Sequence, residues 1–180
     1  SKGLIVIGDI KRSDITSTAQ AYCEAHLSSF QIAGKTLQPP FGVDAVTLNP
    51  YMGFDSIAPF LKACKKGSGI FVLVRTSNPS SNEIQDQKLE SGSMLFEQVA
   101  KLIESWGTSL IGRYGYSSVG AVVGATFSKD AEKLRNQMPH TFFLIPGYGA
   151  QGATAQDVAS CFDKNDLGAI VVSARKIIYA

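Results

Sequence analysis

Six short apolar runs, rich in β-branched residues and lacking polar alternation, most constrain what this chain can fold into. They occupy residues 4–8 (LIVIG), 44–48 (DAVTL), 70–74 (IFVLV), 121–125 (AVVGA), 142–145 (FFLI) and 169–172 (AIVV). The first five are followed by a polar or glycine-bearing loop and then an amphipathic stretch: residues 18–27, 54–65, 94–106, 129–137 and 155–162. The sixth runs into Arg175, where little chain remains. Strands that are apolar throughout are buried on both faces, and their alternation with helices indicates a parallel sheet covered by those helices. Helical spacing supports this: Ile57, Phe60, Leu61 and Cys64 recur at a 3.6-residue period, as do Leu95, Val99, Leu102 and Ile103. Gly67, Gly107 and Gly147 fall where helices or strands should break.

About six βα units suit either an open doubly wound sheet or part of an eight-stranded (β/α)8 TIM barrel. A doubly wound sheet would carry a glycine-rich phosphate loop after its first strand, whereas here that strand runs into charged residues. A complete barrel takes about 250 residues, so these 180 residues are short by about two units. Residues 1–180 contain no linker and read as one partial barrel domain. Residues 30–42, with Pro39-Pro40, read as an irregular insertion, and residues 79–92 as a long surface loop of the length often used for lids.

The net charge of +2, with no dense Lys/Arg block, excludes an electrostatic nucleic-acid binder. Lys62, Lys65 and Lys66 cluster where a helix should end, a favourable place for cations facing solvent. Cys23, Cys64 and Cys161 are far apart, odd in number and without metal-ligand spacing. They read as buried apolar residues of helices, in a reducing, cytoplasmic setting. No apolar run approaches the roughly 20 residues of a membrane span, and residues 3–8 are too short for a signal peptide.

The chemistry-bearing group is Asp9, Lys11 and Asp14. Residues i and i+2 of an extended strand point the same way, so Asp9 and Lys11 can enter one pocket. Alone, the spacing also suits a solvated loop with Asp14 capping the next helix. Its place after a parallel strand, where α/β folds keep their chemistry, favours a site. His26 and His140 have no catalytic partner nearby and read as structural.

Here the sequence resembles the orotidine 5′-phosphate decarboxylase family, on the type 2, long-form bacterial branch. The resemblance starts at Asp9-Ile10-Lys11-Arg12-Ser13-Asp14-Ile15 and continues through Thr47-Leu48-Asn49-Pro50-Tyr51-Met52-Gly53-Phe54-Asp55. It proceeds through Val74-Arg75-Thr76-Ser77-Asn78-Pro79, Val122-Val123-Gly124-Ala125-Thr126, the segment from Leu144-Ile145-Pro146 to Gln151-Gly152, and Val172-Ser173-Ala174-Arg175. It implies a homodimeric, cofactor-free and metal-free carboxy-lyase of pyrimidine biosynthesis that converts orotidine 5′-monophosphate to UMP and CO2. Lys11 would protonate the pyrimidine carbon that loses CO2, and Asp9 would lie against the substrate carboxylate. Asp14, Ile15 and Thr18 would reach the ligand of a partner subunit. Ser77 would read the pyrimidine edge, though its place before Asn78-Pro79 equally suits a turn residue, and Gln151, Ala174 and Arg175 would hold the phosphate. Asn49 could line the pocket or shape the Pro50 turn, and Tyr148 could stack on a ligand or cover its loop. The family usually has glycine at the position of Ala153 and often at that of Ala174.

The family's charged array also includes a lysine from a strand before Asp9, and a ribose-binding aspartate before that. Only Ser1-Lys2-Gly3 precede the first run here, and Lys2 lies at the wrong end of it. No closing helix is expected after the last strand. The expectation is therefore part of a longer polypeptide, with apolar strand edges exposed. Two alternatives accompany it: a related sugar-phosphate lyase or isomerase sharing the D-x-K-x-x-D motif and using Mg2+, and a truncated, non-catalytic phosphate-binding fragment.

Overall fold

The computed structural model describes residues 3–149 and 151–179, so Lys2 and Ala150 lie outside the described residues. The chain divides into two compact units, Ser1–Val72 and Leu73–Ala180.

The first unit comprises β1 (Ile7–Arg12), α1 (Thr16–His26), β2 (Phe30–Ile32), β3 (Lys35–Leu37), β4 (Ala45–Leu48), α2 (Phe54–Cys64) and most of β5 (Gly69–Arg75). β4 pairs in parallel with β1 on one side and β5 on the other. All four residues of β4 are buried, which is why the sequence is apolar there without alternation. Cys23 of α1 sets its thiol 3.6 Å from the Pro59 carbonyl of α2, and Ile57, Phe60 and Cys64 are buried as their spacing predicts.

Two expectations are corrected in this unit. The first strand is not residues 4–8 but Ile7–Arg12, so Asp9 and Lys11 lie within the strand and Asp14 beyond it. Its partner sets the frame: β4 offers a ladder only from Ala45 to Leu48, leaving Leu4 and Ile5 outside it and exposed. Between Gly8↔Val46 and Arg12↔Leu48 the register shifts, with more residues on β1 than on β4. Residues 30–42 are likewise not wholly irregular, since β2 and β3 form an antiparallel hairpin. Ala33 and Gly34 turn it with φ of 50° and 76°, the double positive φ that matches the twist of two strands.

The second unit contains the end of β5, then α3 (Asn82–Gln85), α4 (Leu95–Gly107), β6 (Val119–Val123), α5 (Ser128–Gln137), β7 (Phe143–Ile145), α6 (Ala155–Ala159), β8 (Ala169–Val171) and α7 (Ala174–Ile178). β6, β7 and β8 pair in parallel in that order. β6 and β7 are wholly buried. The face that α4 buries is Phe96, Ala100, Ile103 and Gly107, so Leu95, Val99 and Leu102 of the predicted stripe fall at its margin. Gly107 decides this, because a Cβ there would lie 2.6 Å from Ser117 Oγ; the helix can approach only on its glycine side.

The stretch at 79–92 is organised by a 3-10 turn at Pro79–Ser81, by α3, and by an antiparallel bridge between Lys88 and Met94. Buried Arg75 holds it from below. Its Nη1 lies 2.7 Å from Asp86 Oδ1, too oblique for a hydrogen bond, while Nε donates to Asp130 at 3.0 Å. The guanidinium also stacks 3.8 Å from the Phe127 ring centroid. A short closing helix, α7, does follow the last strand, contrary to expectation. Cys161 lies just past α6 rather than within it. All three cysteines are buried.

As anticipated, the outer strands are less covered. Among the described residues β1 pairs only with β4 and β8 only with β7, and Leu4, Ile5, Val6, Ile170 and Val172 are exposed.

Candidate active site

In the first unit, the register shift lifts residues 9–11 off the regular ladder, a device that re-aims side chains at strand ends. Lys11 has φ of +45°, left-handed backbone that few lysines adopt. Its ammonium meets Asp9 Oδ1 at 2.5 Å, and both side chains are at least half exposed. Thr47, fully buried on β4, joins the pair from below. Its hydroxyl donates to Asp9 Oδ1 at 2.8 Å and accepts the Lys11 N–H at 3.0 Å. Burial pushes the Asp9 carboxyl up, but the hydrogen bonds from Lys11 and Thr47, with the lysine charge, outweigh it and hold the group below its ordinary value. Asp9 is therefore an anion beside a cation at the exposed end of β1.

Asp14 does not cap α1. Ile15 occupies the cap position, and Asp14 Oδ1 accepts the Ile15 N–H at 2.8 Å. Ile15 is 57% exposed, and Thr18 lies in the first turn of α1. Asn49 shapes the turn after β4, its Oδ1 accepting the Tyr51 N–H at 2.9 Å.

In the second unit, Ser77 follows β5 and is gripped by glycines. A Cβ on Gly124 would lie 2.9 Å from both N and Cα of Ser77, and one on Gly147 would lie 3.2 Å from both Ser77 Cβ and Gln151 Oε1. The structure thus brings Ser77 and Gln151 to one spot. Thr76, next to Ser77, is clamped by Gln85 of α3, which accepts its N–H at 3.0 Å and donates to its hydroxyl at 2.8 Å. Ala174 and Arg175 open α7 and are exposed. Lys176 reaches back over the loop at 147–152, its stem against Gly149 and its ammonium 5.9 Å from the Tyr148 ring centroid. Neither Ala153 nor Ala174 has a positive φ, so alanine is accommodated at both positions without backbone strain.

Sequence reasoning missed Thr47 beside Asp9 in the first unit, and Gln85 beside Thr76 and Lys176 beside Gly149 in the second. Thr47 sits in an apolar run where a β-branched residue looks like strand filler, and only its polarity among Ala45, Val46 and Leu48 signalled otherwise. His26 stacks on Phe41 and the Nδ1 of His140 meets the Gly115 carbonyl, both in structural settings.

Parallel βα units with a carboxylate–ammonium pair toward the end of a strand define an α/β chain of the kind that keeps its chemistry at strand ends. The model of the orotidine 5′-phosphate decarboxylase / HUMPS family matches residues 1–180, and the chain belongs to that family. The orotidine 5′-phosphate decarboxylase of Caldicellulosiruptor bescii is 48% identical over all of this chain and 59% of its own length. That of Rhodopirellula baltica is 46% identical over 99% of this chain and 58% of its own. The chain therefore spans somewhat more than half the length of these curated relatives. Among solved structures, Leishmania donovani OMP decarboxylase superposes with a TM-score of 0.82 at 29% identity, covering all of this chain and 63% of that one. Leishmania donovani UMP synthase gives 0.84 at 31%, covering all of this chain and 36% of that one. The fold class is the (β/α)8 barrel, of which this chain carries a part.

Proposed function

We propose that the polypeptide carrying this chain is an orotidine 5′-phosphate decarboxylase, converting orotidine 5′-monophosphate to UMP and CO2 as a cytoplasmic homodimer. The observation that supports it most is the Asp9–Lys11 pair on re-aimed strand backbone, in a chain whose curated relatives carry that name. Asp9, held ionised, stands against the substrate carboxylate; their repulsion falls as the bond to CO2 breaks. The electron pair stays on the pyrimidine carbon, where the Lys11 ammonium stabilises it and then delivers a proton. Asp14, Ile15 and Thr18 serve the ligand of the partner subunit. Ser77 reads the base, Asn49 shapes the pocket rim, and Gln151, Arg175 and the backbone at Ala174 hold the phosphate, for which a guanidinium is well shaped.

Lys11→Ala in the intact polypeptide is expected to abolish CO2 release from the substrate while leaving UMP binding largely intact. Normal turnover in that variant counts against the assignment. Activity that EDTA removes would instead favour the metal-dependent sugar-phosphate branch of the family.

A further inference from the structure

We propose that Thr47 is a positioning residue for the Asp9–Lys11 pair, its one hydroxyl fixing the carboxylate of the first and the backbone of the second. What the pair does rests on the decarboxylase reading; that Thr47 places it rests on the geometry.

A threonine hydroxyl has one proton to give and lone pairs to accept with. Here the proton goes to Asp9 Oδ1, so the Lys11 N–H must fall on a lone pair, and both directions are set at once. Thr47 is wholly buried, so water does not compete for either bond. Where β1 leaves register with β4, the side chain of Thr47 takes the Lys11 N–H. That bond holds Lys11 in left-handed backbone, a conformation that persists only where the surroundings over-determine it. Thr47 and Lys11 both bond Oδ1 of Asp9, leaving Oδ2 without a protein partner among the described residues. Thr47 thereby sets which carboxylate oxygen stays open to a ligand. The neighbours Ala45, Val46 and Leu48 pack without any polar atom, so a valine would serve the strand equally well.

The test compares Thr47→Val, which keeps shape and loses the hydroxyl, with Thr47→Ser, which keeps the hydroxyl. In the intact polypeptide, Thr47→Val is expected to lower kcat roughly 10- to 100-fold, the worth of a hydrogen bond to a charged group, with KM little changed. Thr47→Ser is expected to restore most of that loss. Amide exchange at Lys11 should be slow in the wild type and in Thr47→Ser, and fast in Thr47→Val. Wild-type kcat in Thr47→Val, or equal losses in Val and Ser variants tracking their melting temperatures, overturns the proposal. If Thr47→Val does not fold, Thr47→Ala, which adds no clash, carries the same comparison. Should the wild type release no CO2, the decarboxylase reading fails on its own. The Lys11 exchange pattern then judges the positioning role, and unchanged protection in Thr47→Val rejects it.

Discussion

At the scale of single residues, close approach does as much as charge. Gly124 has no room for a methyl group against the backbone of Ser77, so Gly124→Ala must push that segment away. The expected outcome is a loss of about 1–3 kcal/mol of stability, typical of an overpacked contact, together with weaker substrate binding. Chemical denaturation and KM measure the two. The cysteines show the opposite situation, chemistry silenced by burial. Burial pushes the Cys64 thiol up to about 12 and that of Cys161 to about 11, and raises Cys23 as well. At pH 8 all three are protonated and enclosed, so Ellman's reagent should label none in the native protein and all three after denaturation. That Asp9 and Lys11 meet was expected from their two-residue step and their place near a strand end, although the spacing alone also suited a solvated loop. Thr47 was not, because a buried threonine reveals its partners only when the register between β1 and β4 is known.

At the scale of elements, Arg75 is the pin between the end of β5, the segment carrying α3, and α5. Its side chain is 3% exposed, while Asp86 and Asp130 keep part of their surface in water. Arg75→Met should cost about 3 kcal/mol, the low end for breaking a buried pair, since the two carboxylates left behind are partly solvated. Limited proteolysis within Asn82–Gln85 should quicken in the variant; an unchanged cleavage rate would show that the segment is held by other means. The sequence marked this segment only as long and polar, because its order comes from contacts distant in sequence. The hairpin at Phe30–Leu37 hid for another reason. Its turn uses Ala33 at positive φ, where asparagine or glycine would have announced it. The helices α1, α2, α4 and α5 were legible to within two residues, since periodicity is local, whereas the short α3 and α7 were not.

For the molecule as a whole, the order of βα units was readable because each unit carries an apolar run. That β8 stands at the edge was not, because it is composed much like its covered neighbour β7. Apolar strand edges left open favour association with other chains. A polypeptide of these 180 residues alone should therefore bind anilinonaphthalene sulfonate and sediment faster as concentration rises. A concentration-independent monomer that ignores the dye would contradict this.

The left-handed backbone of Lys11 sets folding and chemistry against each other. Glycine reaches that φ without penalty, so Lys11→Gly should gain about 1 kcal/mol of stability. It should also be inactive. A screen that selected variants of this protein for heat resistance alone would find its reward at the proposed proton donor, and would enrich for molecules that melt later and no longer turn over.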